Sequence, residues 1–371
     1  MAELQKSSTF SCPGCGGRPV WNPKGMNMTC PFCNTETAIP LDRSKPEVYD
    51  ILQAPKAEEM DWGDEKRVVR CESCGAETVL GPGESATICA FCGSPRILDD
   101  QSSAGIAPES VIPFSVSKDD AVSAFRTWLR KKKFAPGKAK KMAALGQITG
   151  VYLPYWAYNS DTSSRYTGEA GYHYEVEETV TVERDGKQVE EKRMVQKTRW
   201  EPTSGFVSNH FEEILIPGSQ RLPDYLLRRV QPYKLEELCR YQAGFLSGFS
   251  AEKPAVNVNG GWESAQKVIE EKMESLATSD ILTRADEARV NSVNSQHRQV
   301  RYKLSLLPMY LSSFTFKDKP YHVLVNGQTG KVGGEAPTSP MRVIVTIACV
   351  IAVIAAILFF ARQGRADLLV P

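Results

Sequence analysis

Two pairs of Cys-x-x-Cys motifs decide the fold of the N-terminal part of this chain: CPGC at 12–15 with CPFC at 30–33, then CESC at 71–74 with CAFC at 89–92. Each cysteine of the second pair follows its counterpart in the first by 59 residues. One such motif brings two sulfur atoms onto a tight turn, and two motifs complete a tetrahedral set of four thiolates for Zn²⁺. The repeat therefore predicts two small zinc ribbons, at residues 8–40 and 60–98. The predicted metal ligands are Cys12, Cys15, Cys30, Cys33, Cys71, Cys74, Cys89 and Cys92.

The predicted zinc ions are structural. Four thiolates leave no open position for water, and a catalytic zinc needs one. Ribbons of this size bury too little surface to fold without metal. Two disulfide pairs or a thioredoxin-like redox motif are the alternatives, but neither requires paired motifs repeated in register. Rubredoxin-like iron sites also use pairs of Cys-x-x-Cys motifs, but we expect zinc over iron because closed ribbons of four cysteines favour it.

The C-terminal end of the chain carries a different signal. Residues 343–361 read VIVTIACVIAVIAAILFFA, without a charge between Arg342 and Arg362. A helix of this length covers roughly 28 Å, close to the thickness of a bilayer's hydrocarbon core. A buried core helix is the alternative, but such helices rarely lack a polar face over this length. The sequence thus predicts a transmembrane helix that serves as a tail anchor.

The charges that flank the span do not settle the orientation of this anchor. The redox chemistry of the cysteine clusters predicts it instead. Thiolate ligands need a reducing compartment. We therefore expect a single-pass protein of the cell membrane with the bulk of its chain in the cytoplasm.

Composition and charge limit the classes of partner. The chain has 371 residues, with 45 Lys and Arg against 44 Asp and Glu. Residues 1–100 hold ten basic and fifteen acidic side chains, and each zinc site adds two further negative charges. Nucleic-acid binders take most of their affinity from neutralising phosphates, so this region favours protein partners or a purely architectural role.

The helix and strand patterns of residues 105–335 predict one α+β domain with antiparallel strands. A capping box at Ser117 starts a helix. A second, amphipathic helix begins near Trp262, with its apolar face predicted at Ala265, Val268, Ile269 and Leu276. Alternating residues on both sides of Asp185-Gly186 predict a hairpin. The last strands end at Gly333-Gly334. The predicted architecture is multidomain: two β-rich Cys₄ ribbons, this central domain and the C-terminal transmembrane helix.

A cluster of eight cations lies between residues 126 and 141. A solvated helix end, where cations also suit the helix dipole, is the favoured interpretation. Contact with anionic lipid is the second, and nucleic acid is the third and least expected. The cations proposed for lipid contact are Arg126, Arg130, Lys131, Lys132 and Lys133.

Short stretches along nearly the whole chain carry a family resemblance. They are DWG at 61–63, CGS at 92–94, IPF at 112–114, GVYLPYW at 150–156, TRW at 198–200, LSGF at 246–249, LLPMY at 306–310 and VNGQTGK at 325–331. With the cysteine motifs, they resemble bacterial TFIIB-type double zinc-ribbon proteins that are membrane-anchored at their C-terminus. The chain departs from that pattern at residues 241–245, where YQAGF replaces a stretch richer in Tyr and Leu.

This resemblance implies two functional labels. Members of the family are often labelled as a primosomal replication helicase (primosomal protein N′, replication factor Y). Related tail-anchored ribbon proteins resemble anchors of envelope-stress modules that contain flotillin-like and phage-shock-type proteins.

Motifs for catalysis are missing from the sequence. The nearest approach to a phosphate-binding loop, at 325–332, lacks both the first glycine and the Ser or Thr that reaches Mg²⁺. There is no HExxH or GxSxG motif, and four histidines are scattered. Two cysteines lie outside the ribbons. We expect Cys239 to be a small buried residue of a helix, and Cys349 to be an apolar residue within the membrane span.

We therefore predict a non-enzymatic, tail-anchored adaptor or scaffold whose ribbons and α+β domain recruit protein partners, in envelope-stress or membrane-organisation assemblies. The alternative is a membrane-tethered zinc-ribbon regulator that binds nucleic acid. An enzyme of unrecognised type stays open, but the sequence names no reaction for it.

Overall fold

The computed structural model describes residues 11–54, 67–80, 89–92, 97–100, 108–139, 148–184, 187–317 and 319–366. The stretch DWG at 61–63, the glycine after Cys92, and Lys140 and Lys141 lie outside these ranges.

A small three-stranded antiparallel sheet forms the first ribbon. Its strands are β1 (Val20–Asn22), β2 (Asn27–Thr29) and β3 (Glu36–Thr37), in that order across the sheet. The two cysteine motifs flank β1 and β2, so the strands hold the motifs side by side. Trp21 and Met28 are buried on the face that packs against the rest of the protein.

A single twelve-stranded sheet organises the remainder of the molecule. Its main path runs β11-β8-β13-β9-β12-β6-β5-β7, with β10 and β14 paired to the long strands. The strands are β4 (Tyr49–Asp50), β5 (Arg67–Cys71), β6 (Glu77–Leu80), β7 (Ile97–Asp100), β8 (Ser110–Val111), β9 (Thr149–Arg184), β10 (Lys187–Pro217), β11 (Cys239–Arg240), β12 (Ser250–Glu252), β13 (Glu287–Phe316), β14 (Lys319–Asn326) and β15 (Val332–Gly334). Strands β5, β6 and β7 belong to the second ribbon, so this ribbon shares its sheet with the body.

The sheet is mixed, whereas the sequence predicted antiparallel strands. Most pairs are antiparallel, but β12 runs parallel to β9 and β8 runs parallel to β13. Each parallel pair involves only two residues of a very short strand. Such strands carry too few residues for an alternating pattern, so sequence periodicity does not reveal them.

Three long strands form an arm, which consists of β9, β10 and the first half of β13. Strand β9 pairs with β10 from Tyr155 to Arg184 and with β13 from Thr149 to Gly171. Beyond Gly171 only the β9–β10 hairpin continues. The pairing of Arg184 with Lys187 confirms the predicted two-strand hairpin, while its turn at 185–186 lies outside the described residues.

Four α-helices complete the described part of the fold: α1 (Lys118–Lys131), α2 (Asp224–Val230), α3 (Val258–Leu282) and α4 (Pro340–Ala366). Helix α1 begins as predicted, because the Ser117 hydroxyl accepts a hydrogen bond from the Asp120 amide. Helix α3 begins four residues before Trp262, at a cap where Asn257 accepts from the Gly260 amide. Leu276, predicted on the buried face of that helix, is exposed; Met273 and Ala277 are buried instead.

An aromatic cluster forms the centre of the core. Phe114 stacks on Phe249 with ring centroids 4.0 Å apart, and Tyr152 and Tyr310 meet Phe114 edge-on at 4.9 Å. These four rings come from four separate segments. Their mutual packing fixes the β8–α1 connection, β9, β12 and β13 relative to one another.

Cys239 lies in a strand, so the predicted helix around it was wrong. Leu235–Glu237 form only one 3₁₀ turn, and Cys239 then enters β11 opposite Val111. Its side chain is buried, as predicted, and its thiol donates a 3.4 Å hydrogen bond to the Val111 carbonyl. The predicted last strands, which end at Gly333-Gly334, are confirmed by β14 and β15.

Candidate metal centres

The first cysteine cluster brings together all four predicted ligands of the first ribbon. The sulfur atoms of Cys12, Cys15, Cys30 and Cys33 all lie within 4.8 Å of one another. Cys12 and Cys33 are 3.4 Å apart at sulfur, and Cys15 and Cys30 are 3.5 Å apart. Each short pair joins one cysteine from each motif, so the two turns face each other.

The second cluster repeats this arrangement. The sulfur atoms of Cys71, Cys74, Cys89 and Cys92 also lie within 4.8 Å of one another. The cross-motif pairs are Cys71 with Cys92 at 3.6 Å and Cys74 with Cys89 at 3.7 Å. The two clusters therefore share one geometry as well as one sequence spacing.

The same backbone turn presents the sulfurs in the described motifs. In each, the amide four residues after the first cysteine donates to that cysteine's carbonyl: Gly16 to Cys12 at 2.8 Å and Gly75 to Cys71 at 2.7 Å. Both glycines have a positive φ, +73° and +69°, which a side chain disfavours. Asn34 occupies the equivalent position after Cys30 with φ +59°, and asparagine is one of the few other residues that tolerate it.

The residues present fit a tetrahedral zinc ion. With Zn–S bonds of about 2.3 Å, a tetrahedral site separates its sulfurs by roughly 3.8 Å. The cross-motif distances in both clusters are close to this value. Four thiolates complete the shell, so an ion bound here is compatible with a structural role.

Within each cluster, the surroundings lower the pKa of some thiols and raise the pKa of others. The Thr35 hydroxyl, 3.1 Å from the Cys33 sulfur, lowers the pKa of Cys33 to about 6. Burial raises the pKa of Cys74 to about 11. The pKa of Cys15 in the first cluster is raised as well. Metal must displace the proton from a thiol with a raised pKa, so binding at either cluster should release protons.

The first ribbon docks on the body through Trp21. The Trp21 indole donates a 2.9 Å hydrogen bond to the Phe114 carbonyl, and its ring packs edge-on against Phe245 at 5.1 Å. The backbone joins as well, since the Trp21 amide donates to the Ser247 carbonyl and the Ser247 hydroxyl donates to the Pro19 carbonyl. Gln242 further binds the Pro40 carbonyl.

The second ribbon docks through β6 and through one arginine. Val79 and Thr78 of β6 pair with Ala251 and Glu252 of β12. Arg221, from the segment before α2, donates a hydrogen bond to the carbonyl of Gly75, the residue after Cys74. A body residue therefore touches the metal-binding turn itself.

Residues 242–253, the bridging segment, contact both ribbons. Its first half holds the first ribbon through Gln242 and Ser247, and its second half holds the second ribbon through β12. The Lys253 amide also donates to the Glu77 carbonyl. One twelve-residue segment of the body thus contacts both ribbons, although it follows both of them in the chain.

Sequence reasoning missed this segment. It contains LSGF at 246–249, quoted above only for the family resemblance, and most of YQAGF at 241–245, quoted only as a departure from it. The signal present in the sequence was the glycine at 248. It adopts a left-handed φ of +85° at a point where Val20 of the first ribbon approaches closely. No sequence pattern indicated the contact of Arg221 with the metal-binding turn, because its partner Gly75 is 146 residues away in the chain.

The C-terminal helix α4 is exposed along its apolar length. Pro340–Ile357 is long and apolar enough to cross a membrane, and none of this window is buried. The predicted span at 343–361 lies within α4, although the side chains after residue 357 are outside the described set. The structure thus supports a single C-terminal helix of membrane-spanning length and composition.

The other titratable groups form no further metal centre among the described residues. His173 meets Glu287 at 2.8 Å, His297 meets the Thr162 hydroxyl at 3.0 Å, and His210 meets Asp161 at 2.5 Å. These three lie at separate places on the arm. Burial lowers the pKa of His297, whereas the Asp161 carboxylate raises that of His210.

Comparison with known proteins gives one distant relative of nearly full length. The chain is 27% identical over 344 residues to the uncharacterized protein YdjG of Bacillus subtilis strain 168, an alignment that covers 90% of this chain and 92% of that protein. No protein-family model matches the chain. No solved structure matches it.

Proposed function

We propose that this protein is a non-enzymatic, single-pass membrane adaptor whose ribbons and β-rich body recruit protein partners. The observation that carries the proposal is the combination, in one chain, of an exposed apolar helix and a long exposed arm. The helix localises the molecule, and the arm presents a surface away from the core. The sequence resemblance to anchored double-ribbon proteins agrees with this role.

Zinc in both clusters would serve the architecture. Closed sets of four thiolates suit an ion that holds a fold together. The first cluster would hold the ribbon whose strand β1 packs on the body through Trp21. The second would hold the turn whose Gly75 carbonyl accepts from Arg221. Since thiolates need a reducing compartment, we place both ribbons in the cytoplasm.

The arm is the proposed recruiting element. Beyond Gly171 the hairpin extends for thirteen residues of β9, about 40 Å at strand rise. Met194 is 61% exposed and Tyr174 45% exposed on it, and Phe206 is also exposed nearer the body. Exposed apolar side chains on a projecting element are typical of protein-interaction surfaces.

Charge on the hairpin favours a protein over a nucleic acid. Residues 172–200 hold six basic and seven acidic side chains. Several of them pair across the strands, such as Lys192 with Glu177 at 3.2 Å. A phosphate backbone needs uncompensated cations, and this surface offers alternating signs instead.

The test is a pull-down of the full-length protein in mild detergent, followed by mass spectrometry. The arm variant Tyr174→Ser/Met194→Ser is compared with Leu52→Ser/Leu282→Ser, which alters two exposed apolar side chains outside the arm and the ribbons. We expect specific membrane-associated partners that the arm variant loses and the control retains. Equal recovery with wild type and both variants, or no specific partner, would contradict recruitment by the arm.

The same preparation tests the alternative of a nucleic-acid regulator. Salt-dependent retention of DNA that is lost on Arg126→Gln/Arg130→Gln would favour that function over the adaptor. Recovery of DNA-processing proteins in place of membrane proteins would point the same way.

A further inference from the structure

A cationic concavity lies where the body meets the C-terminal helix. It has a volume of about 640 Å³ and is formed by the end of α1, by α2, by β14 and by the segment that leads into α4. Its charged lining residues are Lys131, Lys132, Lys133, Arg229, Lys319 and Glu335. Five cations thus share the described lining with one carboxylate.

The single carboxylate does not neutralise these cations. The Tyr225 hydroxyl donates to Glu335, and no described carboxylate forms an ion pair with Lys131, Lys133 or Lys319. Lys132 lies over the Trp128 ring at 4.5 Å, Lys319 lies over the Tyr321 ring at 5.6 Å, and Arg229 donates to the Gly334 carbonyl. A ring contact does not neutralise the charge of a lysine, and the side chains of Lys131, Lys133 and Lys319 are exposed. Three exposed ammonium groups therefore remain available to an anion.

Direct hydrogen bonds fix this concavity to the start of α4. Arg342, in the first turn of the helix, donates to the Ala135 carbonyl at 2.8 Å and to the Lys133 carbonyl at 3.3 Å. The Ser339 amide donates to the Phe134 carbonyl at 2.9 Å. The lysine-rich turn is thus held within one helical turn of the apolar window that begins at Pro340.

This position corresponds to the headgroup layer of a bilayer. The headgroup region adds about 5–7 Å on each side of the hydrocarbon core, and the first turn of a helix rises about 5 Å. Phe134 is 40% exposed beside the lysines, and Met341 is exposed on the adjoining turn of α4. Cations flanked by exposed apolar groups suit an interface where phosphate meets hydrocarbon.

We propose that this concavity binds the phosphate headgroup of an anionic membrane phospholipid. The inference rests on the membrane anchor of the proposed function but not on the adaptor role. It differs from a diffuse attraction of the whole basic cluster, because Arg126 and Arg130 do not line the concavity and Lys319 and Arg229, from distant parts of the chain, do. The lysines end α1, so their placement beside β14 depends on tertiary packing.

The test is native mass spectrometry of the full-length protein in detergent, titrated with phosphatidylglycerol or phosphatidylcholine. The site variant is Lys131→Gln/Lys133→Gln/Lys319→Gln, three exposed residues whose change leaves the core intact. The matched control is Arg126→Gln/Arg130→Gln/Lys138→Gln, which removes three exposed cations of the basic cluster that do not line the concavity. Each cation near an anionic surface strengthens binding by about fivefold, so we expect the site variant to bind phosphatidylglycerol about a hundredfold more weakly.

The outcomes separate the possible explanations. Preference for phosphatidylglycerol over phosphatidylcholine, lost in the site variant and retained in the control, supports the proposal. Equal losses in both variants, or equal binding of both lipids, would overturn it. Displacement of the lipid by an equal concentration of inorganic phosphate would show that free phosphate is the ligand, and would overturn the lipid assignment.

Membrane integration is measured separately, by resistance of the protein to alkaline extraction from membranes. A protein that resists extraction without binding phosphatidylglycerol contradicts only this inference. A protein that is extracted contradicts the anchor of the proposed function.

Discussion

The Arg221 guanidinium donates a 2.6 Å hydrogen bond to the carbonyl oxygen of Gly75, the residue that follows a cysteine of the second cluster. Gly75 has a positive φ and forms part of the turn that presents Cys71 and Cys74. The body therefore supports this metal-binding turn from outside the ribbon. Its structural consequences are testable with single substitutions.

Arg221→Met should loosen the second cluster without affecting the first. A hydrogen bond from a charged group at an exposed site contributes about 1 kcal/mol to the free energy of unfolding. We expect faster release of one of two zinc ions to a chelator, followed with a colorimetric zinc indicator. Arg228→Met, an exposed arginine in α2, is the matched control. Equal release rates for both variants would show that the hydrogen bond has no such role.

Metal content should follow the cysteine clusters one by one. Elemental analysis of the full-length protein, purified under reducing conditions, should give two zinc ions per chain. Cys12→Ser/Cys15→Ser should leave one, because half of a four-thiolate set binds zinc poorly. Cys239→Ser should leave two, since Cys239 is buried away from both clusters. Visible absorbance from bound iron would contradict the assignment of zinc.

Trp21→Ala should release the first ribbon from the body while its metal site persists. The change removes the hydrogen bond to Phe114 and the packing on Phe245. Truncation of a buried Trp costs about 3 kcal/mol or more. Limited proteolysis should cut between the ribbon and the body, and the thermal midpoint should fall.

Phe32→Ala is the control for that experiment. Phe32 belongs to the same ribbon but is 77% exposed, and exposed substitutions typically change stability by less than about 0.5 kcal/mol. Similar proteolysis of both variants would mean that Trp21 does not fix the ribbon.

Glu252 should make the stability of the protein depend on pH. Burial raises the pKa of this carboxyl to about 7, although the Ser219 hydroxyl donates to it at 2.9 Å and Arg221 lies nearby. Its second oxygen is buried and has no hydrogen-bond partner among the described residues. The native chain therefore holds a proton on Glu252 that the unfolded chain releases near its ordinary pKa of 4.5.

Between these two pKa values the native state binds more protons than the unfolded state, so stability falls as pH rises. The loss from this group amounts to about 3 kcal/mol across that window. Chemical denaturation at pH 5 and pH 8 should show the loss in the wild type and a smaller loss in Glu252→Gln. Glu263→Gln, an exposed acid on α3, should behave as the wild type. If Glu252→Gln loses as much stability between pH 5 and pH 8 as the wild type, another group causes the pH dependence.

Local signals in the sequence predicted the local structure well. Cysteine spacing predicted both clusters, because all the ligands of a cluster lie within 22 residues. The side chain of Ser117 predicted the start of α1, since a cap forms with the next turn of its own helix. The long apolar run predicted α4 in the same way.

Interactions between distant segments could not be predicted. The buried face of α3 depends on which residues β9, β10 and β13 present to it, so Leu276 was misplaced. The parallel pairs of β8 and β12 each involve two residues, too few for a pattern. Resemblance to anchored double-ribbon proteins stays a prediction, as does the division of the chain into separate domains.

The bridging segment has a thermodynamic consequence for metal supply. Because residues 242–253 bind both ribbons, folding one ribbon around its ion orders part of the surface on which the other docks. Such linkage is reciprocal, so we expect zinc bound at one cluster to raise the affinity of the other cluster for zinc. Loading should then be cooperative, with fully loaded and empty molecules outnumbering those that hold one ion. When zinc is limiting, the fraction of fully loaded protein would rise steeply above a threshold zinc concentration and not in proportion to the zinc supplied.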